Sequence, residues 1–316
     1  MKLNPIPILS VLVTVIVGLS LISVPVAASG VGTWKPTKGY PTAVFDQSCV
    51  VSGGYVYCVA GSAGNAVYFA KLSSSGVGRW KVTTGYPAAV DEQSCVVSGG
   101  YIYCVGGYIT NAVYFAKLSS SGVGAWKETT EYPTPIAGHS CVVSGSYVYC
   151  VGGWNGAAYT SAAYFAELSS SGVGRWEPTT GYPATIEYAS CVVSGGYIYC
   201  VAISSVYFAK LTSTGIPASG PGTWTVTTMY PIYAYDVSCV VSGVYVYCVG
   251  GGVNTTYYNS VYFAKLSKSG VGTWKVTTSY PTPIDAQSCI VSMGHVYCVG
   301  GNTGSAGTTS VYFASV

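Results

Sequence analysis

Ser94-Cys95-Val96-Val97-Ser98-Gly99-Gly100-Tyr101-Ile102-Tyr103-Cys104-Val105 places two cysteines nine residues apart around a double glycine. β-Branched and aromatic runs on either side of Gly-Gly read as two strands joined by a two-residue turn. With the turn at Gly99-Gly100, Ser98 faces Tyr101, Val97 faces Ile102, Val96 faces Tyr103 and Cys95 faces Cys104. Counted out from the closing pair, the cysteines fall on a non-hydrogen-bonded pair with Cα atoms about 4.5 Å apart, at the short end of disulfide reach. A disulfide within the hairpin is expected, with bridges between units as the alternative. In the chain-entropy account it is worth about 2–3 kcal/mol.

The same stretch recurs six times, giving Cys49/Cys58, Cys95/Cys104, Cys141/Cys150, Cys191/Cys200, Cys239/Cys248 and Cys289/Cys298. Trp34, Trp80, Trp126, Trp176, Trp224 and Trp274 each stand 15 residues before the first cysteine of a pair, and the repeat spacing is 46 to 50 residues. Such a period marks a propeller or solenoid, because each unit is too small to bury its own apolar faces. Between hairpin and tryptophan lies a third run, Val113-Tyr114-Phe115-Ala116-Lys117-Leu118, so each unit reads as four strands. The order is permuted: Trp34 precedes the first hairpin, and 310–316 is a third strand lacking its fourth. The count balances if the N-terminal strand completes the last unit, which closes a ring and protects its edges. The expected fold is all-β, a six-bladed β-propeller with four antiparallel strands per blade.

Composition agrees. Half of the residues are hydrophobic, 7% are charged, and the formal net charge is +3 with no basic tract. Nucleic acid is thereby excluded as a partner. Ile8 to Val26 is almost wholly apolar, follows Lys2 and ends at Val26-Ala27-Ala28, the pattern of a secretory signal cleaved after Ala28. The expected division is a signal peptide, 1–28, and one propeller, 29–316. An uncleaved signal anchor would be the only membrane contact. Cleavage is favoured because Ser29-Gly30-Val31-Gly32-Thr33-Trp34 already belongs to the repeat, matching Ser75-Gly76-Val77-Gly78-Arg79-Trp80. Paired thiols persist outside the cytosol. Zinc is disfavoured by the long cysteine spacing and by a total of two histidines. No metal or cofactor is expected.

An apolar strand, a double glycine, then Tyr and Trp on the outer strands resembles the kelch repeat of kelch proteins and galactose oxidase, over essentially all of 29–316. The glycines stand at Gly106-Gly107, Gly152-Gly153, Gly250-Gly251 and Gly300-Gly301, and are replaced at Ala60-Gly61 and Ala202-Ile203. The Tyr114 to Trp126 interval is longer than in typical kelch units, and the disulfide pairs depart from cytosolic kelch proteins. Copper-radical oxidation, which the galactose oxidase resemblance would imply, needs two histidines and a tyrosine cross-linked to a cysteine. His139 and His295 fall at opposite ends of a blade, and every cysteine is used. The sialidase-type alternative lacks its Asp turn, and Arg79 and Arg175 are the only arginines.

Comparison of the six units shows where variation is allowed. Most length change falls between the second and third strands (61–65, 106–110, 152–162, 202–205, 250–260 and 300–309). In a propeller these loops share one face with the loops that enter the inner strands. The entering loops carry Asp46, Asp91, Glu92, His139, Glu187, Asp236 and Asp285, and the variable loops carry Tyr108, Trp154, Tyr159, Tyr257 and Tyr258. Asn254-Thr255-Thr256 is a glycosylation sequon. Exposed aromatics among acids suit a glycan or protein partner at the cell surface. The expectation is a secreted or cell-surface binding module using this face. A carbohydrate-active enzyme using the mouth carboxylates and a structural envelope component are the alternatives. The opposite face, with near-identical Gly-Gly turns and Ser-rich connections, reads as generic.

Overall fold

The computed structural model describes residues 30–304 and 306–316; the signal segment expected at 1–28 lies outside them. In the second blade the inner strand is Ser94–Ser98, the second Tyr101–Val105, the third Val113–Ser119 and the outer Lys127–Glu128, all antiparallel. Gly99 and Gly100 take φ of 57° and 79°, as a turn with two left-handed residues requires. Cys95 pairs with Cys104 in the predicted register.

All six hairpins are bridged within themselves. The bonds are Cys49–Cys58, Cys95–Cys104, Cys141–Cys150, Cys191–Cys200, Cys239–Cys248 and Cys289–Cys298, with Cα separations of 4.0–4.1 Å. No cysteine is free, and none bridges two blades, the alternative that the sequence left open. The second cysteine of each pair is wholly enclosed: Cys58, Cys104, Cys150, Cys200, Cys248 and Cys298 are all 0% exposed. These bridges are therefore packing elements of the blades, the first cysteine of each pair being only 7–8% exposed. Six of them indicate an oxidising, extracellular environment. Among the described residues no helix is long and apolar enough to cross a membrane.

The outer strand is shorter than the tryptophan repeat suggests. It spans two residues in most blades, such as Lys81–Val82, and begins just after the tryptophan. The chain first folds back through Gly122–Val123, which pairs with Leu118 and Ser119. The Val123 amide then donates to Thr83 Oγ1 of the preceding blade at 2.8 Å. A side chain at Gly122, whose φ is 122°, would collide with that threonine. The Ser-rich connections are therefore occupied in clamping neighbouring blades, which leaves little chain for a long fourth strand.

Each blade buries its faces against its neighbours. Between the first and second blades, Val50, Tyr57, Val59 and Phe69 meet Cys95, Cys104, Ile102 and Ala116. The same seam position is taken by Cys58 between the last and first blades, Cys200 between the third and fourth, Cys248 between the fourth and fifth, and Cys298 between the fifth and last. Polar groups on the aromatics are satisfied across the same seams. Tyr57 Oη donates to the Ser119 carbonyl at 2.7 Å, and Trp80 Nε1 to the Lys38 carbonyl at 3.0 Å. The register tryptophans are packing residues.

The ring closes as the permuted order predicts. Lys35–Pro36 pairs with Val311–Ser315, placing Lys35 opposite Phe313 in the sheet of the last blade. Trp34 Nε1 completes the tryptophan series by donating to the Thr278 carbonyl at 3.1 Å. At the axis a second belt closes. The serine before each first cysteine accepts the cysteine amide of the next blade, from Cys95 N to Ser48 Oγ round to Cys49 N and Ser288 Oγ, at 2.9–3.0 Å. Inner strands present a free edge to the channel, and the six hydroxyls satisfy one amide on each.

Candidate functional site

The channel has unlike ends. At the hairpin-turn end a cavity of about 370 Å³ is lined by Val50, Val51, Val96, Val97, Ile290 and Val291, among others. At the opposite end a polar cavity of about 200 Å³ includes Asp46, Glu92, Tyr188 and Asp236 in its wall. That polar mouth is formed where the chain enters each inner strand.

The acids of the entering loops fall into separate registers. Three residues before the first cysteine stand Asp46, Glu92, Gly138, Tyr188, Asp236 and Ala286. All six are left-handed, with φ of 49–58°. This conformation lets successive blades join through backbone. Glu92 N donates to Asp46 O at 3.2 Å, Gly138 N to Glu92 O at 3.1 Å, Tyr188 N to Gly138 O at 2.8 Å, and Asp46 N to Ala286 O at 3.1 Å. The glycine has a further use. A Cβ at Gly138 would lie 2.9 Å from the Tyr188 ring, so its absence lets that ring cross to the second blade, where Tyr188 Oη donates to Glu92 Oε1 at 3.0 Å.

One residue further out stand Asp91, Glu187 and Asp285. Asp285 Oδ2 lies 2.8 Å from where a Cβ at Gly252 would be, and its Oδ1 is buried without a hydrogen-bond partner. Glu187 lies beside the exposed Tyr159 and raises the pKa of its hydroxyl.

One residue nearer the cysteine, side chains turn away from the channel into the seams. Gln47, Gln93 and Gln287 each donate Nε2 to the Val299, Val59 and Val249 carbonyls at 2.7–2.8 Å. His139 occupies this register in the third blade. It is 6% exposed, and neither ring nitrogen has a hydrogen-bond partner. Burial takes its pKa down to about 3. The sulfurs of Cys141 and Cys150 lie within 4.8 Å of it, but they are bonded to each other and offer no thiolate to a metal.

Burial raises the pKa values of the mouth carboxyls, and for Asp46, Glu92 and Asp236 neighbouring acids add to it. Asp46 is pushed up to about 7, first by burial and then by Glu92, Asp91 and Asp285. Burial raises Asp236 well above the carboxylate range, with Asp46 and Asp285 adding to it. Glu92 is raised by burial, against the lowering effect of its bond from Tyr188. Asp285 rises to about 6 by burial, opposed by Asn302. Among the described residues the one ion pair is Arg175–Glu177, at 3.2 Å, so no lysine or arginine compensates the mouth.

The aromatic candidates divide. Tyr108 and Tyr159 are exposed, and Tyr108 stacks on Trp154 with ring centroids 5.8 Å apart. Tyr257 is half-buried and its hydroxyl accepts from Asn302 Nδ2 at 3.3 Å. Tyr258 packs against the seam between the fourth and fifth blades. Exposed Tyr233 lies edge-on to Tyr235, next to Asp236.

Sequence reasoning missed Tyr188, the seam glutamines and the serine belt. Aligning each entering loop on its cysteine separates the registers, and Ser-Cys recurs in all six units. The double glycines also acquire a reason. Gly106 has φ 61°, and a side chain there would overlap the Ile136 carbonyl of the next blade. The following amide, Gly107 N, donates to that same carbonyl at 2.8 Å.

No family profile matches this sequence, and no curated protein matches it. Solved structures do match by shape. That of YjhT superposes with a TM-score of 0.74 at 15% identity, covering 88% of this chain and 96% of that one. At this identity the likeness is one of fold, and the kelch resemblance remains at that level.

Proposed function

We propose that this chain is an exported binding module that holds a neutral or amine-bearing glycan at the acidic mouth of its channel. The observation that carries the reading is that Asp46, Glu92 and Asp236 share one cavity with Tyr188 and lack a basic partner, beneath a rim bearing exposed Tyr108, Tyr159 and Tyr233. Carboxylates accept hydrogen bonds from sugar hydroxyls, and tyrosine faces pack on the C–H faces of a sugar ring. An anionic ligand would meet uncompensated like charge. The scaffold is rigid and disulfide-stapled, the setting in which variable loops serve recognition. Export would follow removal of residues 1–28, leaving Ser29 as the first residue.

The test is a glycan binding screen on the mature protein with two variants. One replaces Tyr108, Trp154 and Tyr159 by Ala; the other replaces Asp46, Asp91, Asp236 and Asp285 by Asn. Loss of binding without loss of thermal stability supports the face. Binding that survives both variants, yet fails when the Ser-Gly-Val-Gly connections are altered, assigns recognition to the other side.

One observation favours a second reading. A carboxyl held protonated near neutral pH beside other acids, as Asp46 is, is what a glycoside-cleaving general acid requires. Release of reducing sugar by the parent, lost in Asp46→Asn, would select the enzyme over the binding module.

A further inference from the structure

We infer that Asn254 is a glycosylated asparagine, on a hairpin that projects from the rim of the polar mouth. Asn254 lies between the short strands Gly252–Val253 and Thr256–Tyr257, which pair with each other outside the six blades. It is exposed, with φ 51°, as are Thr255 and Thr256. The other described asparagines are differently placed. Asn65 and Asn111 donate to the Tyr86 and Tyr132 carbonyls. Asn155 Oδ1 accepts from Ala157 and Ala158, and Asn302 Oδ1 from Gly304. Asn259 is half-buried and is followed by Ser260-Val261, which is no sequon. Asn254 combines exposure, a side chain engaged in no hydrogen bond with the described residues, and a threonine two positions on. It is the only Asn-x-Ser/Thr site in the chain with x other than proline.

The chemistry has what it needs. In an exported chain, Asn254 Nδ2 attacks C1 of the first sugar of a lipid-linked oligosaccharide phosphate donor. The N–C1 bond forms as the C1–O bond to phosphate breaks, the lipid phosphate leaves with the electron pair, and the amide gives up one proton. The hairpin can meet the transferase without opening a blade, because its strands pair only with each other, apart from the Tyr235–Gly252 bridge. That bridge also fixes where the glycan emerges. Tyr235 adjoins Asp236 and Gly252 backs onto Asp285, so the sugar would rise from the fifth-to-sixth-blade side of the mouth. The Tyr108–Trp154 stack of the second and third blades would remain open. This inference does not depend on the glycan-binding reading, since the modified residue lies outside the polar cavity.

The experiment is glycopeptide mass spectrometry on the full chain exported by its own organism, with three variants made in the same host. The expected result is a mass excess of whole sugar residues on Asn254, lost in Asn254→Asp and Thr256→Val and retained in Thr256→Ser. Asp tolerates the left-handed turn and Val suits a strand. Non-reducing disulfide mapping confirms that each variant is folded, and Thr256→Val keeps Asn254 in place should the Asp variant misfold. Unmodified Asn254 in the exported parent overturns the inference. So does a mass excess that persists in both Asn254→Asp and Thr256→Val.

Discussion

Replacing Asp46 by Asn should stabilise the protein, and by more at pH 8 than at pH 5. Asp46 is held at about 7 against an ordinary value of 3.8, chiefly by burial and then by Glu92, Asp91 and Asp285. A carboxyl whose folded pKa lies above its unfolded one favours folding while protonated. That contribution is fully present below about pH 4 and is lost as pH rises through 7. With about 1.4 kcal/mol per pKa unit, the raised pKa of Asp46 costs about 1.5 kcal/mol at pH 5, where the folded carboxyl must hold a proton that the unfolded chain would release, and about 4 kcal/mol at pH 8, where it is ionised while buried. The advantage of Asp46→Asn should therefore grow by about 2–3 kcal/mol across that window. Asn is nearly isosteric and accepts the φ of 55° at this position. The assay is denaturant unfolding of parent and variant at both pH values, with disulfides intact. The difference between the two proteins is the quantity to read, because His139 contributes with the opposite sign. Its pKa is lowered to about 3, so its stabilisation is present above about 6.5 and is lost as pH falls toward 3. In the difference that contribution cancels. An advantage that stays constant from pH 5 to 8, or shrinks, would refute the account of the mouth as a cluster of uncompensated, desolvated acids.

Other outcomes follow from the seams and the ring. His139→Gln should gain about 1–2 kcal/mol at neutral pH, because glutamine in the same register donates to a neighbouring strand carbonyl, whereas both imidazole nitrogens are unpaired; equal or lower stability in thermal unfolding would contradict this. Gly106→Ala should lose about 2–4 kcal/mol through strain and collision, while Ala60→Gly, where alanine already sits at φ 51°, should be neutral or gain up to about 1 kcal/mol. Deleting residues 29–40 removes Trp34 and the Lys35–Pro36 pairing and should cause aggregation through the exposed Val311–Ser315 edge; a monomeric, equally stable truncation in sedimentation analysis would contradict closure. Ser94→Ala should remove one link of the axial belt and lose about 1 kcal/mol with all six disulfides retained on peptide mapping.

The architecture was legible because it is written locally and repeated. Cysteines nine apart around Gly99-Gly100 leave one hairpin register, and six copies with a displaced Trp34 strand leave a closed ring. The length of the outer strand was not legible, since the clamp between Val123 and Thr83 joins residues of different blades. The candidate site divides along the same line. Which loops vary could be read from their lengths, and the structure gathers Asp46, Glu92 and Asp236 at one mouth. That Asp91 stands outside while Glu92 faces in, that His139 turns into a seam, and that Tyr188 reaches over Gly138 to Glu92 were decided by the tertiary structure. At the entering loops each chain turns through a left-handed residue, so neighbours in sequence point to the rim, the channel and the seam in turn. Only the neighbouring blade determines which of these directions holds solvent, a carboxylate or a packed wall.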